Sequence, residues 1–252
     1  MRHLMAWRDW CRWIPAECPG CRRRVPGQGL CGACSVALVP DRSRPRCPVC
    51  AHPLMGEACP DCPPGAPVYD RIVAAFDYTG LGRDLVQDYK IRCRLSLAGV
   101  LADRLAQVVR EAGRPDAGLP EWIVPVPARR AALLQRGFSP PAEIARLLGR
   151  RLGLPCRLDG VRRLREGPKQ ASLGRTDRLR AQSGLYVCDR GHPESVPECL
   201  AGARIAVVDD VLTTGATMRA VAMALKAAGA AHVEGWVLAR AVHQGAPEGV
   251  IL

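Results

Sequence analysis

The sequence predicts an α/β domain, a mostly parallel sheet flanked by helices, behind a small metal-binding module. Three observations predict it. From Val68 onward, apolar runs of strand length alternate with helical stretches, the pattern of a parallel sheet covered by helices on both faces. Before residue 63, eight cysteines fall into four CxxC pairs. Between the two regions, Pro60 to Pro67 holds four prolines and a glycine in eight residues, which marks a linker. The chain of 252 residues is therefore divided into an N-terminal module, 1–63, and a larger domain, 68–252.

At the N-terminus, Leu4, Trp7, Trp10/Cys11 and Ile14 recur at helical spacing and predict a short helix docked on the body of the protein. Arg2, Arg8, Asp9 and Arg12 interrupt this stretch, so it lacks the apolar run of a signal peptide. No segment of the chain approaches the roughly 18 apolar residues of a membrane span. The chain is read as cytoplasmic, with no membrane span.

The CxxC pairs are Cys18/Cys21, Cys31/Cys34, Cys47/Cys50 and Cys59/Cys62. A two-residue gap lets a tight turn aim both thiolates at one ion, and two such turns complete a tetrahedral four-sulfur site. Nine residues separate the first two pairs and eight the second two, a spacing suited to zinc-ribbon hairpins. Sequential pairing gives one zinc on Cys18, Cys21, Cys31 and Cys34 and a second on Cys47, Cys50, Cys59 and Cys62. Spacing alone leaves crossed pairing open. Four thiolates leave no open coordination position, so both zinc ions are read as structural. A module of this size buries little core and needs its metal to hold the fold. Chelation is expected to unfold it and leave the larger domain largely intact. A disulfide framework does not suit a cytosolic chain. His52 and Cys11 are read as non-ligands, and Cys93, Cys156, Cys188 and Cys199 as single core or surface residues.

In the larger domain, Ile72 to Tyr78 reads as a strand and Leu97 to Val109 as an amphipathic helix. Trp122 to Val126 is again a strand, followed by a helix around Ala142 to Leu152. Arg204 to Val208 is a continuous apolar run, Ala216 to Ala228 is helical, and Val233 to Leu238 is a strand.

The most informative stretch joins two of these elements: Ile205-Ala206-Val207-Val208-Asp209-Asp210-Val211-Leu212-Thr213-Thr214-Gly215-Ala216-Thr217. An apolar strand ends in two carboxylates, and a loop of small residues then opens a helix. The helix N-terminus offers unpaired N–H groups and a positive dipole end to a phosphate. Gly215 lets the backbone come close, and the hydroxyls of Thr213, Thr214 and Thr217 add donors. Asp209 and Asp210 can accept hydrogen bonds from two ribose hydroxyls at the strand's carboxyl end, where ligands of open α/β sheets sit.

Charge points the same way. The net charge is +12 and the cations are almost all arginine, which suits phosphate partners because the guanidinium fork binds phosphate oxygens in pairs. From Arg129 to Arg180 there are fourteen Lys/Arg against four acids, a net of +10. The middle of this span, Arg162 to Arg180, has few apolar residues and no clear period, and reads as a mobile basic lid over the phosphate site. Aromatic residues are 4% of the chain, so stacking platforms are scarce and any contact with single-stranded DNA is expected to be mainly electrostatic. Arg22, Arg23 and Arg24, directly after Cys21, would extend that contact to the metal module.

The stretch from Ile205 to Thr217 resembles the phosphoribosyl-pyrophosphate signature of type I phosphoribosyltransferases. The run Val124-Pro125-Val126-Pro127, then Arg129, Arg130 and Gln135-Arg136-Gly137-Phe138-Ser139, is similar to the ComF family of competence-associated proteins. So are the CxxC-rich N-terminus, the segment around Lys90, and the stretch from Arg163 through Gln170 and Leu173 to Arg178. The resemblance covers nearly the whole chain. It implies a type I phosphoribosyltransferase fold, phosphoribosyl pyrophosphate bound with magnesium, and a role in DNA uptake during natural transformation, with single-stranded DNA and uptake-machinery proteins as partners. On this resemblance the ligand is held by Asp209, Asp210, Thr213, Thr214, Gly215, Ala216, Thr217, Arg129, Arg130 and Lys90. The loop Val126 to Arg130 faces the pyrophosphate, and Arg162, Arg163, Arg165, Lys169, Gln170 and Arg178 belong to the mobile basic loop. Three departures stand out: Ser139 and Ala181 where the family usually has Asn, and Cys93 where Gly is usual. No residue is assigned as catalytic and no acceptor site is evident. A metabolic phosphoribosyltransferase acting on an unidentified base or amine is the alternative reading, and whether turnover occurs is left open.

Overall fold

The computed structural model describes residues 15–41, 43–56, 58–62, 68–113, 118–164, 185–188 and 200–242. The helix read over Met1 to Ile14 lies outside the described residues, as do Arg165, Lys169, Gln170 and Arg178.

Four strands form one sheet: β3 (Arg71–Asp77), β4 (Trp122–Pro125), β7 (Arg204–Leu212) and β8 (His232–Arg240). Their order is β3-β8-β7-β4 and every pairing is parallel. Alternate residues feed two cores, as expected where both faces of a parallel sheet are covered. Val73, Ala75, Ile123, Ala206, Val208, Trp236 and Leu238 face a cluster built with α2 (Gly80–Lys90), α3 (Leu97–Glu111) and α5 (Pro140–Leu152). Ile72, Val124, Ile205, Val207, Val233 and Val237 face α6 (Ala216–Ala227) through Met218, Val221 and Leu225. Leu101, Leu105 and Leu148 are essentially inaccessible, and each such side chain contributes roughly 2–3 kcal/mol of burial. Gly235, in the middle of β8, makes room for this packing. A Cβ there would lie 2.5 Å from Ile72 Cδ1 and 2.8 Å from Met218 Cε.

Helix α5 begins at Pro140, two residues before the sequence reading. Prolines 140 and 141 occupy its first positions, where a missing N–H costs nothing. Ser139 caps it, its hydroxyl accepting from the Ala142 N–H at 3.4 Å. Helix α2 has no counterpart among the elements read from sequence. Its buried face is Gly82, Leu85, Val86 and Tyr89, and the two glycines of its first turn mask the helical propensity.

The cysteine region contains the hairpin β1 (Pro15–Glu17) and β2 (Arg24–Pro26), then α1 (Gly32–Ala37). Cys18 and Cys21 lie in the hairpin turn, whereas Cys31 caps α1 and Cys34 is in its first turn. The first cluster thus combines one hairpin with one helix N-terminus. In space the two regions meet. The Val49 carbonyl accepts the Ile72 N–H at 2.7 Å, Arg46 donates to both carboxylate oxygens of Asp77 at 2.9 and 2.6 Å, and Leu81 packs against Cys18 and Cys34. Among the described residues no helix is long and apolar enough to cross a membrane.

Candidate phosphate and metal sites

In each cluster, Cys18, Cys21, Cys31, Cys34 and Cys47, Cys50, Cys59, Cys62, the four Sγ atoms lie within 4.8 Å of one another. The pairing is sequential. Cys21–Cys31, Cys47–Cys62 and Cys50–Cys59 have Sγ···Sγ separations of 3.6, 3.7 and 3.4 Å. Zinc at about 2.3 Å from each sulfur of a tetrahedron sets edges of about 3.8 Å, so both clusters suit structural zinc. Burial pushes the Cys50 thiol up to about 11. His52 stands outside the sulfur set, its Nδ1 2.6 Å from the Pro53 carbonyl and its Nε2 3.7 Å from Asp61.

The second site lies where the sheet opens. Strand β4 pairs with β7 only as far as Pro125↔Val208, with one further bond from the Val126 N–H to the Val208 carbonyl at 2.8 Å. Past that point the chain turns away at Pro127, which has no N–H to continue the ladder. Strand β7 does not stop at Val208 as the apolar run suggested. It continues through Leu212 because β8 supplies partners for Asp209, Val211 and Leu212 in Val237, Ala239 and Arg240. The two aspartates therefore sit on a paired strand, more rigid than a strand end.

A cavity of about 320 Å³ fills the gap, lined by Lys90, Arg129, Arg136, Arg163, Asp209, Asp210, Thr213 and Thr217 among others. Asp209 Oδ1 accepts the Asp210 N–H at 2.8 Å, and Asp210 Oδ1 accepts the Val211 N–H at 2.7 Å, which fixes both carboxyls. Lys90, the last residue of α2, places Nζ 2.7 Å from Asp210 Oδ2. Burial, and after it the Asp210 carboxylate, push the Asp209 carboxyl up to about 7. Gly215 caps α6 with φ 74 and makes no side-chain cap bond, so the first-turn N–H groups receive no acceptor from the cap residue itself.

The structure thus gathers Lys90, Arg129, Asp209, Asp210, Thr213 and Thr217 around one cavity, and puts Thr214, Gly215 and Ala216 into the turn that shapes it. Arg130 departs from this set. It is the first residue of α4 (Arg130–Arg136) and lines a neighbouring cavity with Arg162. Arg162 and Arg163 are not loop residues either: they form β5, paired antiparallel with β6 (Tyr186–Val187). Arg163 stacks over the Tyr186 ring at 5.6 Å and donates to its hydroxyl at 3.3 Å, and this pairing removes them from a free lid. Two polar lining residues escaped the sequence reading, Arg136 and Tyr186. Arg136 lies within the Gln135-Arg136-Gly137 run that carries the resemblance, and that signal could have flagged it.

Gly215 is also constrained by contact. A Cβ there would lie 3.1 Å from the Tyr69 hydroxyl, on a left-handed backbone that costs an L-residue about 1–2 kcal/mol. Gly215→Ala is expected to lower the unfolding free energy by about that amount, seen as a lower urea midpoint at unchanged slope.

A parallel sheet ending in paired carboxylates and an open helix N-terminus, with two four-cysteine clusters beside it, defines a phosphoribosyltransferase-like domain carrying a metal-binding module. The phosphoribosyl transferase domain family matches residues 131–249. Competence protein F of Haemophilus influenzae is 29% identical over 233 residues, 89% of this chain and 97% of that protein. DNA utilization protein YhgH of Salmonella typhimurium is 31% identical over 235 residues, 90% of this chain and 98% of that protein. Among solved structures, the glutamine phosphoribosylpyrophosphate amidotransferase of B. subtilis matches 56% of this chain and 25% of that one, at 20% identity and a TM-score of 0.35. The chain belongs to the ComF family of competence-associated proteins.

Proposed function

We propose that this protein binds phosphoribosyl pyrophosphate with magnesium and serves DNA uptake or utilization in the cytoplasm, in contact with single-stranded DNA. One observation carries the reading: two fixed carboxylates, four cations and an open helix N-terminus surround the same cavity. Asp209 and Asp210 accept the ribose hydroxyls, the Thr213 to Thr217 turn holds the 5′-phosphate, and Arg129 and Lys90 meet the pyrophosphate. Arg130 and the basic residues Arg162, Arg163, Arg165, Lys169 and Arg178, with Gln170, extend the surface toward nucleic acid. Magnesium supplies charge neutralisation on the pyrophosphate oxygens. Residues 1–63 form the metal module and 68–252 the ligand domain in this reading. The names of the relatives, competence and DNA utilization, support the DNA half.

A larger cavity favours a second reading. About 860 Å³ in volume, it shares Pro127, Ala128 and Arg163 with the phosphate cavity and is walled by Leu133, Leu134, Leu158 and Leu164. An acceptor base could occupy it, attack carbon 1 of the sugar through nitrogen and release pyrophosphate. Catalysis would then rest on positioning and on charge stabilisation of the leaving group.

One set of titrations separates the readings. On a single strand, log affinity is expected to fall linearly with log salt at roughly 0.7 per phosphate neutralised. Arg162→Glu with Arg163→Glu weakens binding and flattens the slope. No interaction at low salt, together with pyrophosphate release on a nucleobase panel, would replace the first reading with the second.

A further inference from the structure

Among the described residues, the most deeply buried charge outside the phosphate cavity is Arg240, at the end of β8, with 1% of its surface exposed. Its guanidinium is shared between two sites. On one side Nη1 donates to the carbonyls of Leu212 and Thr213 at 3.1 and 2.7 Å, the two residues that lead into the phosphate-binding turn. On the other, Nε donates to the Cys50 carbonyl at 2.9 Å, and Nη2 lies 3.9 Å from Cys50 Sγ and donates to the Asp61 carboxylate. Cys50 is a member of the second cysteine cluster, and Asp61 directly precedes another, Cys62.

A buried guanidinium stays charged and requires compensation. Asp61 supplies one negative charge. Four thiolates around a divalent ion supply more, since their sum exceeds the ion's charge by two. The electrostatic state of the cluster therefore sets how firmly Arg240 is held, and through it how firmly the Leu212 and Thr213 carbonyls are held. Tyr69 adds a second link on the same side. Its ring is buried beneath Gly215, in the same core cluster that Val49 and Ala51 of the cysteine module pack against.

We propose that Arg240 is a positioning residue that couples the metal state of the Cys47, Cys50, Cys59 and Cys62 cluster to phosphoribosyl-pyrophosphate affinity. The inference rests on the ligand reading proposed above. It gives the second cluster a role beyond holding its own module: a chain that loses that metal also loses its ligand site. Second-sphere partners that orient a binding group typically matter by 10- to 100-fold, and the same range is expected here.

The test compares the full-length parent with Arg240→Met and Arg240→Lys, measuring zinc content and magnesium–phosphoribosyl-pyrophosphate affinity on each. The expected result is two zinc ions in all three, with affinity lowered on the order of 10- to 100-fold in the Met variant and partly restored in the Lys variant, which keeps the charge. Variants that retain zinc and bind like the parent would overturn the coupling. A parent that binds no ligand would instead overturn the ligand reading beneath it. Should the variants fail to fold, the parent alone decides. Coupling free energies are reciprocal, so in equilibrium competition with a chromophoric chelator, saturating ligand and magnesium must tighten one of the two zinc ions by that same factor. Equal retention with and without ligand, after correction for zinc taken up by the ligand itself, contradicts the proposal.

Discussion

Removing zinc from the purified protein is expected to unfold the cysteine region and to lower the thermal midpoint of the remaining sheet domain as well. Structural zinc in small modules is worth roughly 10 kcal/mol or more, and the two four-sulfur clusters stand in a region with little core of its own. The three-residue core cluster there is Cys18, Val25 and Cys34, two of them metal ligands. An isolated module would melt alone. Here Val49 caps the N–H of Ile72 on β3, Arg46 pairs with Asp77 at the end of the same strand, and Arg240 reaches the Cys50 carbonyl. Losing the module removes these bonds, at about 0.5–1.5 kcal/mol net for each. The sequence-based expectation that the larger domain survives chelation largely intact is thereby narrowed: it survives with a reduced midpoint. Calorimetry before and after chelation, with elemental analysis of the holo-protein, checks both parts. Holo-protein from reducing purification with no zinc, or a second transition unmoved by chelation, would contradict them.

Asp209→Asn is expected to stabilise the ligand-free protein at alkaline pH while weakening ligand binding. The folded-state value of Asp209 is raised from 3.8 to about 7, chiefly by burial and next by Asp210, so between those values the folded chain holds a proton that the unfolded chain has released. Stability from this group is complete below pH 4 and is lost as pH rises through about 7. Asparagine never pays that loss. Partial solvent access of Asp209 reduces the effect to about 1–3 kcal/mol. The variant's midpoint should exceed the parent's at pH 8, with the gap smaller by about a third at pH 6, a window that spares the metal sites from acid. A constant gap across that range would show that Asp209 is not the titrating group. Stabilisation with loss of binding is the mark of a residue kept for function.

The strands and their parallel order were legible because alternate residues of β7 and β8 are apolar on both faces, and no helix period fits them. The CxxC pairs and the carboxylate–threonine turn were legible as patterns, whereas the sequential pairing of the cysteines became visible only in the structure. Other features were set by tertiary contact. Helix α2 is held by Leu85, Val86 and Tyr89 against the sheet, despite glycines at its first and third positions, and its last residue, Lys90, reaches Asp210. The extension of β7 through the aspartates depends on β8, a distant strand. Tyr186 and Arg163 meet only because β5 and β6 pair. Arg240 gave no signal at all: one arginine at a strand end becomes informative only when Cys50, Asp61, Leu212 and Thr213 converge on it.

The central claim, that the carboxylate-lined cavity holds phosphoribosyl pyrophosphate, is tested most directly by titration calorimetry of the zinc-loaded chain with that ligand and magnesium. The parent should bind one ligand per chain. Asp209→Asn with Asp210→Asn should bind at least about tenfold more weakly, since each lost charge-assisted acceptor is worth roughly 1.5–3 kcal/mol, with circular dichroism and zinc content unchanged. Equal affinity in the parent and the double variant would contradict the claim.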